Sequence, residues 1–496
     1  MRTAANTELK QEQVLLFFVA ATLMFIVPLL LVDSLYSDDL RRAHGAIADW
    51  TRLGRPLIDW FYQGLSFSHG VPDVFPLPLL MAVGAISLAL RSLVNHYFAV
   101  PNLACCLVVL PLWYSPFFLE NLSFQYDGPV MTLGVVAMIY AISYHHRSWL
   151  MRNGVAALCI ALGLSIYQMV INVYLGLCCL EVIRVASGGD VRGVIHVVRD
   201  CLMRLFVGTG IYWLSAYQLM DNERTALRQL DSGLFEGVGL DLLKTGAQVA
   251  LLYTRDNAWL CGSLIVLGTA GLGLVLYRIV RTQALLWEKT AVAALCLICP
   301  LAAAISIPGL ALIFEYFNVD ARLMMGLASA LVLVFFLSYQ ALTAIHSRLG
   351  LLLIIPVLAM LSFSFVHGRV LAQNKALSSN LIHHISYDIT THPELSRVQA
   401  YKLFDHRGGE WLAGASETYR LLPALPYVLH IIHPIYPEMF PHHAGITNVS
   451  WGSWEDSDAI YQRLDTGVPP TLSRKFYSIY VNGSEAHIVL TPASLQ

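Results

Sequence analysis

Charged side chains are scarce in this sequence, in which they make up 13% of the 496 residues, against about 25% in soluble domains. Hydrophobic residues account for 56%. This balance excludes an ordinary soluble globular domain and predicts a polytopic α-helical membrane protein that contacts the lipid bilayer. The formal net charge of −2 gives no indication of a nucleic-acid partner.

Cysteine is absent after Cys299. The nine cysteines up to that point lie mostly in apolar runs, where cysteine usually acts as a small packing residue. A disulfide framework is therefore not predicted for the C-terminal part. A cleavable signal peptide is not predicted either, because the first apolar run, 14–32, is too long and no small-residue cleavage site follows it. We expect this run to remain as the first helix.

Long apolar runs are abundant, and they predict about eleven membrane-spanning helices. The predicted spans are 14–34, 75–91, 97–118, 128–144, 153–167, 169–186, 201–219, 258–277, 290–307, 322–342 and 349–367. The fifth and sixth share one apolar stretch that breaks near Tyr167-Gln168, which fits a tight hairpin or a partly re-entrant pair. Together the spans define a transmembrane domain over residues 1–368.

The charges in the loops indicate the orientation of the chain. With the N-terminus inside, the inner segments hold 13 Lys and Arg residues and the outer loops hold nine, so the positive-inside rule favours this orientation. Sixteen carboxylates up to Asp320 lie on the outer side, against six on the inner side. We therefore expect the working site on the outer face, and an odd number of crossings places the C-terminal part there too.

The first outer loop opens with two carboxylates and two guanidiniums, Asp38-Asp39-Leu40-Arg41-Arg42, directly after the first apolar run. Arginine can grip a phosphate in a two-pronged way, and an aspartate can take a proton from a hydroxyl. This combination at a lipid interface predicts chemistry on a lipid-linked phosphate. Neighbouring side chains on a helix point about 100° apart, so we expect one aspartate to face the site and the other to cap a helix or pair with an arginine. Lipid headgroups are an alternative partner for Arg41 and Arg42.

The remainder of this loop, up to residue 74, has apolar residues at helical spacing and predicts two short interfacial helices. The turn Gly54-Arg55-Pro56 separates them, because the residue before a proline avoids the helical conformation. Trp50, Trp60 and Tyr62 suit the level of the lipid headgroups.

Other polar residues near the predicted outer face have both a functional and a structural interpretation. Glu120 and Asp127 flank a short outer loop, where they serve either the site or solvation. Gln168 and Asn172 lie one turn apart beside a helix break, where interhelical hydrogen bonds are the alternative. A histidine-rich segment contains His430, His433, His442 and His443, but its spacing matches no standard metal site and predicts no bound metal.

The composition changes after Phe365, and residues 369–496 form a predicted small α/β domain. Helix signals cover 371–392, and alternating patterns predict strands at 398–404, 476–481 and 486–491. This domain contains no recognisable catalytic motif.

Taken in order, several of these pieces resemble one family. A long first helix, Tyr36-Ser37-Asp38-Asp39-Leu40-Arg41-Arg42, an interfacial Trp and Gly54-Arg55-Pro56-Leu57 resemble the Gtr-type, serotype-converting O-antigen glucosyltransferases of bacteria. These belong to the GT-C class of multi-spanning glycosyltransferases with lipid-linked donors. Three later pieces agree: Glu120-Asn121-Leu122-Ser123-Phe124-Gln125-Tyr126-Asp127, Tyr167-Gln168 with Asn172, and Asp320-Ala321-Arg322-Leu323-Met324-Met325-Gly326. The resemblance covers most of residues 10–368 and does not extend to the C-terminal domain.

The resemblance implies a GT-C-like fold and a reaction at the periplasmic face of the bacterial inner membrane. A glucosyl group would pass from undecaprenyl-phosphate-glucose to a hydroxyl of the O-antigen of lipopolysaccharide. In a direct displacement, Asp38 or Asp39 would act as the base, and cationic side chains would stabilise the departing phosphate. We expect the C-terminal domain to help shape the acceptor groove, because it lies on the same side.

The remaining site residues are expected in two groups. The donor phosphate would be bound by Arg41, Arg42, Arg55 and Arg322. The substrates would be positioned by His44, Glu120, Tyr126, Asp127, Gln168 and Asn172. No cofactor is required, because arginines can neutralise a monophosphate, although a divalent metal between the outer carboxylates is compatible with the chemistry.

Two other functions fit parts of the sequence. A flippase for a polyprenyl-linked sugar would bind the same phosphate, but it should carry ionisable residues along a path through the membrane. Here the predicted spans are nearly free of charge at their centres and the carboxylates gather on one face, which favours an enzyme. A GT-C transferase of another sugar onto another envelope glycan is equally compatible with the sequence.

Overall fold

The computed structural model describes residues 8–221, 227–228, 234–405, 411–453 and 469–491. Most of this part is helical, as predicted. The helices up to the middle of the chain are α1 (Gln11–Val32), α2 (Asp38–Gly45), α3 (Pro56–Ser66), α4 (Leu77–Tyr97), α5 (Leu103–Val109), α6 (Pro111–Tyr114), α7 (Phe118–Ser123), α8 (Asp127–Ser143), α9 (Trp149–Leu164), α10 (Ile171–Ser187), α11 (Val191–Leu214) and α12 (Leu234–Ala250). They are followed by α13 (Ala258–Arg281), α14 (Leu286–Ile305), α15 (Gly326–Ile345), α16 (Ile354–Thr391), α17 (Ser416–Leu421), α18 (Ala424–Leu429) and α19 (Met439–Ala444).

Seven helical segments in the described residues are long and apolar enough to cross a membrane. They are α1, α4, α13, α14, α15, the segment Gln168–Ser187 that includes α10, and the segment Ser347–Thr391 that includes α16. The helices at Leu103–Tyr114, Asp127–Ser143 and Trp149–Leu164 are apolar but shorter. Each of the predicted spans overlaps a helix, while the number of crossings, eleven, stays a prediction.

The predicted break between the fifth and sixth spans is present. Helix α9 ends at Leu164, the backbone of Tyr167 is extended, and a short 3-10 turn, Gln168–Val170, leads into α10. This irregular stretch places polar side chains at the end of the helices, close to the loops of the site.

Helix α16 continues through the place where the composition changes. It packs against α1, and Gly368 permits the close approach, because a Cβ atom there would lie 2.3 Å from the Cβ of Pro28. The helix then extends beyond the apolar region to Thr391. The change in composition therefore occurs within one continuous helix, and the division into domains at residue 368 remains a sequence-based prediction.

The C-terminal part contains the predicted strands and two more. The strands are β1 (Ala400–Asp405), β2 (Val449–Trp451), β3 (Leu472–Ser473), β4 (Tyr477–Asn482) and β5 (Glu485–Leu490), in the order β2-β1-β5-β4-β3. Strand β1 runs parallel to both neighbours, and β4 runs antiparallel to β3 and β5. One face packs on the last turns of α16, where Ile382 and Ile385 meet Leu403 and Ile488. Asp388 ties helix to sheet, because it accepts hydrogen bonds from Arg474 at 2.7 Å and 2.9 Å.

A short helical segment of the C-terminal part packs on the membrane helices. Leu425, Val428 and Leu429 of α18 are buried in the same core as the transmembrane helices. The rings of Tyr427 and Phe117 meet edge to face, with centroids 5.2 Å apart. This segment brings C-terminal residues next to the loops of the site.

The first outer loop contains the two predicted short helices, α2 and α3. Gly54 adopts a left-handed conformation with φ of 69°, and Pro56 begins α3, as the turn predicts. Trp60 is exposed, in agreement with a headgroup position, whereas the prediction for Trp50 and Tyr62 was wrong because both are buried. Their rings stack with centroids 5.7 Å apart, and Trp50 finds its polar partner inside the protein, as described below.

Candidate active site

Asp39 holds the first outer loop against the connection between α7 and α8. Its fully buried carboxylate accepts backbone N–H groups from Gln125 at 2.7 Å, Tyr126 at 3.3 Å and Tyr36 at 3.4 Å. Burial, together with the nearby charge of Asp127, raises the pKa of Asp39 to about 8, although the amide donors act in the opposite direction. Both carboxylate oxygens are thus engaged by the backbone, and the predicted role of Asp39 as a base remains a prediction.

Asp38 lies beside Asp39 but faces outward. It is exposed, and its side chain forms no hydrogen bond or ion pair with the described residues. Its negative charge acts on Arg322 and Arg42 and favours their ionised forms. The two aspartates therefore point in different directions, as expected for neighbours on a helix, and Asp38 is the one with an accessible carboxylate.

Arg42 belongs to a buried network. Its Nη1 donates to Asp127 at 2.7 Å, its Nη2 lies 3.7 Å from Asp49, and its guanidinium is 4.4 Å from the ring centre of Trp50. The indole Nε1 of Trp50 donates to Asp127 at 2.6 Å. Arg41 is half exposed and pairs with Asp49 at 2.5 Å. The Arg42 side chain is 4% exposed, so its present contacts hold the loop together, and its predicted role on the phosphate remains a prediction.

Arg55 differs from Arg41, Arg42 and Arg322 in having no paired carboxylate among the described residues. Its Nε donates to Gln168 Oε1 at 3.0 Å, and its guanidinium lies 4.6 Å from the ring centre of Tyr167. In the part of the chain that the structure describes, it forms no ion pair with a carboxylate. Burial lowers the pKa of Arg55. A partly buried cation without a carboxylate partner is well placed to bind an anion.

Gln168 positions Arg55 through bonds on both sides of its amide. Its Nε2 donates to the carbonyl of Leu53 at 2.8 Å and to the hydroxyl of Tyr212 at 2.9 Å. The side chain therefore joins the turn before α3 to the break before α10. These hydrogen bonds agree with the structural interpretation of Gln168, and its predicted role in positioning the substrates remains a prediction.

Arg322 is a second cation close to Tyr167. Its Nη2 is 3.1 Å from Asp320 and its Nε is 3.9 Å from Glu120, and its guanidinium is 5.4 Å from the ring centre of Phe124. The Tyr167 hydroxyl donates to the Arg322 carbonyl at 3.4 Å. About a third of the Arg322 side chain is exposed, at 32%. Arg55 and Arg322 thus both lie close to one tyrosine, and each is partly exposed.

Glu120 and Asp320 form an acidic group with a histidine from the C-terminal part. Three ligand atoms, one each from Glu120, Asp320 and His430, lie within 4.8 Å of one another. Glu120 is fully buried, and burial raises its pKa to about 8. Among the described residues, this is the group whose donor atoms suit a metal ion.

The remaining predicted residues lie around this centre. Asn172 joins α10 to the segment before α15, because it donates to the Pro308 carbonyl at 3.0 Å and accepts the Leu310 N–H at 2.8 Å. Tyr126 is buried, with its hydroxyl 3.3 Å from the carbonyl of Val71. These contacts are structural.

His44 lies near the C-terminal end of α2. It is exposed, and its ring meets that of His442 at 5.2 Å. The side chain of His443 lies outside the described residues, so this part of the histidine-rich segment is not characterised further.

Two neighbours of the site were not among the residues predicted from sequence. Asp320 is part of a piece that carries the family resemblance, but its proximity to Glu120 could not be inferred from loops some 200 positions apart. His430 was considered only with neighbouring histidines. Residue spacing in the sequence does not reveal this cluster, because Glu120, Asp320 and His430 come from three separate segments.

Comparison with known proteins shows which family this chain resembles over the region of the candidate site. A family model described as "Glucosyl transferase GtrII" matches residues 27–333, which include α2, the turn before α3, Arg55, Arg322 and most of the membrane helices. An uncharacterized 55.3 kDa protein in the gtrB 5′ region of Salmonella phage P22 is 25% identical over 248 residues. That alignment covers 48% of this chain and 51% of the phage protein, so the chain matches about half the length of that relative. No solved structure matches the chain.

Proposed function

Because the chain belongs to the glucosyl transferase GtrII family, we propose that it transfers a glucosyl residue from undecaprenyl-phosphate-glucose to a hydroxyl of the lipopolysaccharide O-antigen. The proposed reaction takes place at the periplasmic face of the bacterial inner membrane. Its main structural support is Arg55, a partly buried guanidinium that has no carboxylate partner in the described residues.

The donor phosphate is proposed to bind between Arg55 and Arg322. Arg55 and Arg322 both lie close to Tyr167, and both are partly exposed. The leaving group is a phosphate monoester that gains negative charge as the bond to the sugar breaks, so fixed cations stabilise the transition state more than the ground state. Arg55 is held in place by Gln168, which limits the reorganisation needed during the reaction.

Asp38 is the proposed base. Its carboxylate takes the proton of the acceptor hydroxyl while that oxygen forms a bond to the anomeric carbon, and the bond between this carbon and the phosphate oxygen breaks. The electron pair leaves with the lipid phosphate, and the anomeric configuration inverts. Asp38 fits this role better than Asp39, because its carboxylate is exposed whereas that of Asp39 is occupied by three backbone N–H groups.

The acceptor is proposed to approach along the C-terminal part. A narrow cleft beside α2 is lined by Ser37, His433 and Tyr436. Beyond it, the ring of Trp451 in β2 lies 4.6 Å from that of His433 and 5.9 Å from that of Tyr436. A partly exposed aromatic group of this kind suits the apolar faces of sugar rings.

The test uses purified full-length protein, undecaprenyl-phosphate-glucose and isolated O-antigen, with glucose transfer as the readout. We expect Arg55→Gln to lower kcat by about 10²–10³-fold, the usual effect of removing one donor to a developing anion. Asp38→Asn should lower kcat by a similar factor or more, because a general base contributes about 10²–10⁴-fold. Arg52→Gln is the matched control, since Arg52 is exposed and lies in the same loop.

Normal transfer by both Arg55→Gln and Asp38→Asn would show that the site lies elsewhere. Donor binding, measured separately, distinguishes a loss of phosphate recognition from a loss of proton transfer. Asp38→Asn should retain donor binding, whereas Arg55→Gln should weaken it.

A further inference from the structure

Glu120, Asp320 and His430 come from three separate segments and converge on one point. Glu120 lies on α7, Asp320 precedes the short turn Ala321–Leu323, and His430 follows α18. One donor atom from each lies within 4.8 Å of the other two. From this geometry we infer that the three side chains bind one first-row divalent cation, such as Mn²⁺ or Zn²⁺.

An unsatisfied buried oxygen supports a ligand at this position independently of the clustering. Glu120 is 0% exposed, and its Oε1 has no hydrogen-bond partner in the described residues. Buried carboxylate oxygens are normally hydrogen-bonded, paired or bound to a metal. The closest cationic atom, Nε of Arg322, lies 3.9 Å away, which is beyond hydrogen-bond distance.

Each carboxylate uses its other oxygen to fix its orientation. Glu120 Oε2 accepts the backbone N–H of Arg322 at 2.8 Å. Asp320 Oδ2 accepts Asn318 Nδ2 at 2.8 Å and Arg322 Nη2 at 3.1 Å. Asp320 Oδ1 faces His430 Nδ1 at 3.7 Å. The atoms left over are therefore one oxygen of each carboxylate and one imidazole nitrogen, oriented by neighbours in the way that metal ligands usually are.

The segments that carry the ligands are also held by their backbones. The Tyr427 hydroxyl donates to the Val319 carbonyl, directly before Asp320. The Tyr36 hydroxyl donates to the Leu429 carbonyl and lies 3.1 Å from the carbonyl of His430. These contacts bring the C-terminal segment to the acidic pair before any ion binds.

The local charge and the donor set indicate the class of ion. When both carboxylates are ionised and the histidine is neutral, two negative charges face the single guanidinium of Arg322. Two oxygens and one imidazole nitrogen suit Zn²⁺ or Mn²⁺ better than Ca²⁺, which prefers six to eight oxygens. Metal bonds of about 2.1 Å place ligand atoms roughly 3–4 Å apart. The observed spread of up to 4.8 Å therefore requires a small inward rotation of the side chains.

Any role of this ion in catalysis rests on the proposed function, whereas binding itself does not. The full-length protein is purified in detergent, freed of metal with a chelator and titrated with Mn²⁺ while free Mn²⁺ is followed by electron paramagnetic resonance. Zn²⁺ is measured by competition. We expect one ion per chain, with at least tenfold weaker binding in Glu120→Gln and Asp320→Asn.

His430 offers a matched pair of variants. Its φ of 42° is left-handed, a conformation that glycine and aspartate tolerate. His430→Gly should therefore keep the backbone and lose the ion, whereas His430→Asp restores a ligand and should retain Mn²⁺. His433→Ala removes a nearby histidine that pairs with Asp405 instead, and it should bind the ion normally.

Two results would overturn the inference: no ion bound by the wild type, or equal affinity in the wild type, Glu120→Gln and His430→Gly. Failure of the proposed function would look different. In that case Arg55→Gln and Asp38→Asn would transfer glucose normally while the ion still bound with the expected pattern.

Discussion

Replacing Asp39 by alanine should destabilise the protein without removing its chemistry. The substitution leaves the buried N–H groups of Gln125, Tyr126 and Tyr36 without their acceptor. An unsatisfied buried donor costs about 1–3 kcal/mol. The bond from Gln125, at 2.7 Å, is the strongest, and the other two are long, so we expect a total loss of about 2–4 kcal/mol.

The matched substitution is Asp38→Ala, one position earlier on the same helix. Asp38 is exposed and its side chain forms no hydrogen bond or ion pair with the described residues, so its removal should change stability by less than about 0.5 kcal/mol. The assay is equilibrium unfolding in detergent followed by tryptophan fluorescence, together with glucose transfer at a temperature where both variants are folded. Asp39→Ala should be the less stable protein and Asp38→Ala the less active one. Equal stabilities, or an inactive and fully stable Asp39→Ala protein, would refute the assignment of Asp39 as the structural member of the pair.

Three further predictions concern the surroundings of the site. The folded-state pKa of Asp39 is raised to about 8 from 3.8. Its contribution to the free energy of unfolding is therefore complete below pH 4 and is lost as the pH rises to about 8. The free energy of unfolding, measured between pH 5 and 9, should show this decline in the wild type and a flatter profile in Asp39→Asn. Asp127→Asn leaves the buried charge of Arg42 with Asp49, 3.7 Å away, as its remaining ion-pair partner and should lower the free energy of unfolding by about 3 kcal/mol. Asp49→Asn should lower it by about 1 kcal/mol or less in the same assay, because the closest partner of Asp49 is the half-exposed Arg41. Trp451→Ala should raise the KM for O-antigen about tenfold, equivalent to about 1.4 kcal/mol, with no change in donor binding, and an unchanged KM would exclude the proposed acceptor path.

Local patterns in the sequence predicted local structure well. The two short helices of the first outer loop follow from apolar spacing and from Gly54-Arg55-Pro56, which determine backbone conformation within a few residues. The strands at Ala400–Asp405 and Glu485–Leu490 follow from alternation in the same way. Both signals act over short distances along the chain.

Long-range partners could not be predicted from such patterns. Tryptophan is a residue type expected at the level of the lipid headgroups. Trp50 instead lies inside the protein, where it donates a hydrogen bond to Asp127, 77 positions away. Arg42 donates a hydrogen bond to the same distant carboxylate. A pair of adjacent arginines in a sequence therefore indicates where cations are, while the fold determines which of them are already neutralised.

The number of carboxylates around each guanidinium suggests how the proposed ion and the proposed reaction fit together. Arg42 lies near two carboxylates and is buried, and Arg55 has none within ion-pair distance in the described residues. Arg322 is intermediate, because it is partly exposed but shares its charge with Glu120 and Asp320. A divalent cation held by these two carboxylates would compensate their charge and leave Arg322 free to bind the donor phosphate beside Arg55. If this coupling holds, removing the ion should weaken donor binding in the wild type and should have a much smaller effect in Arg322→Gln.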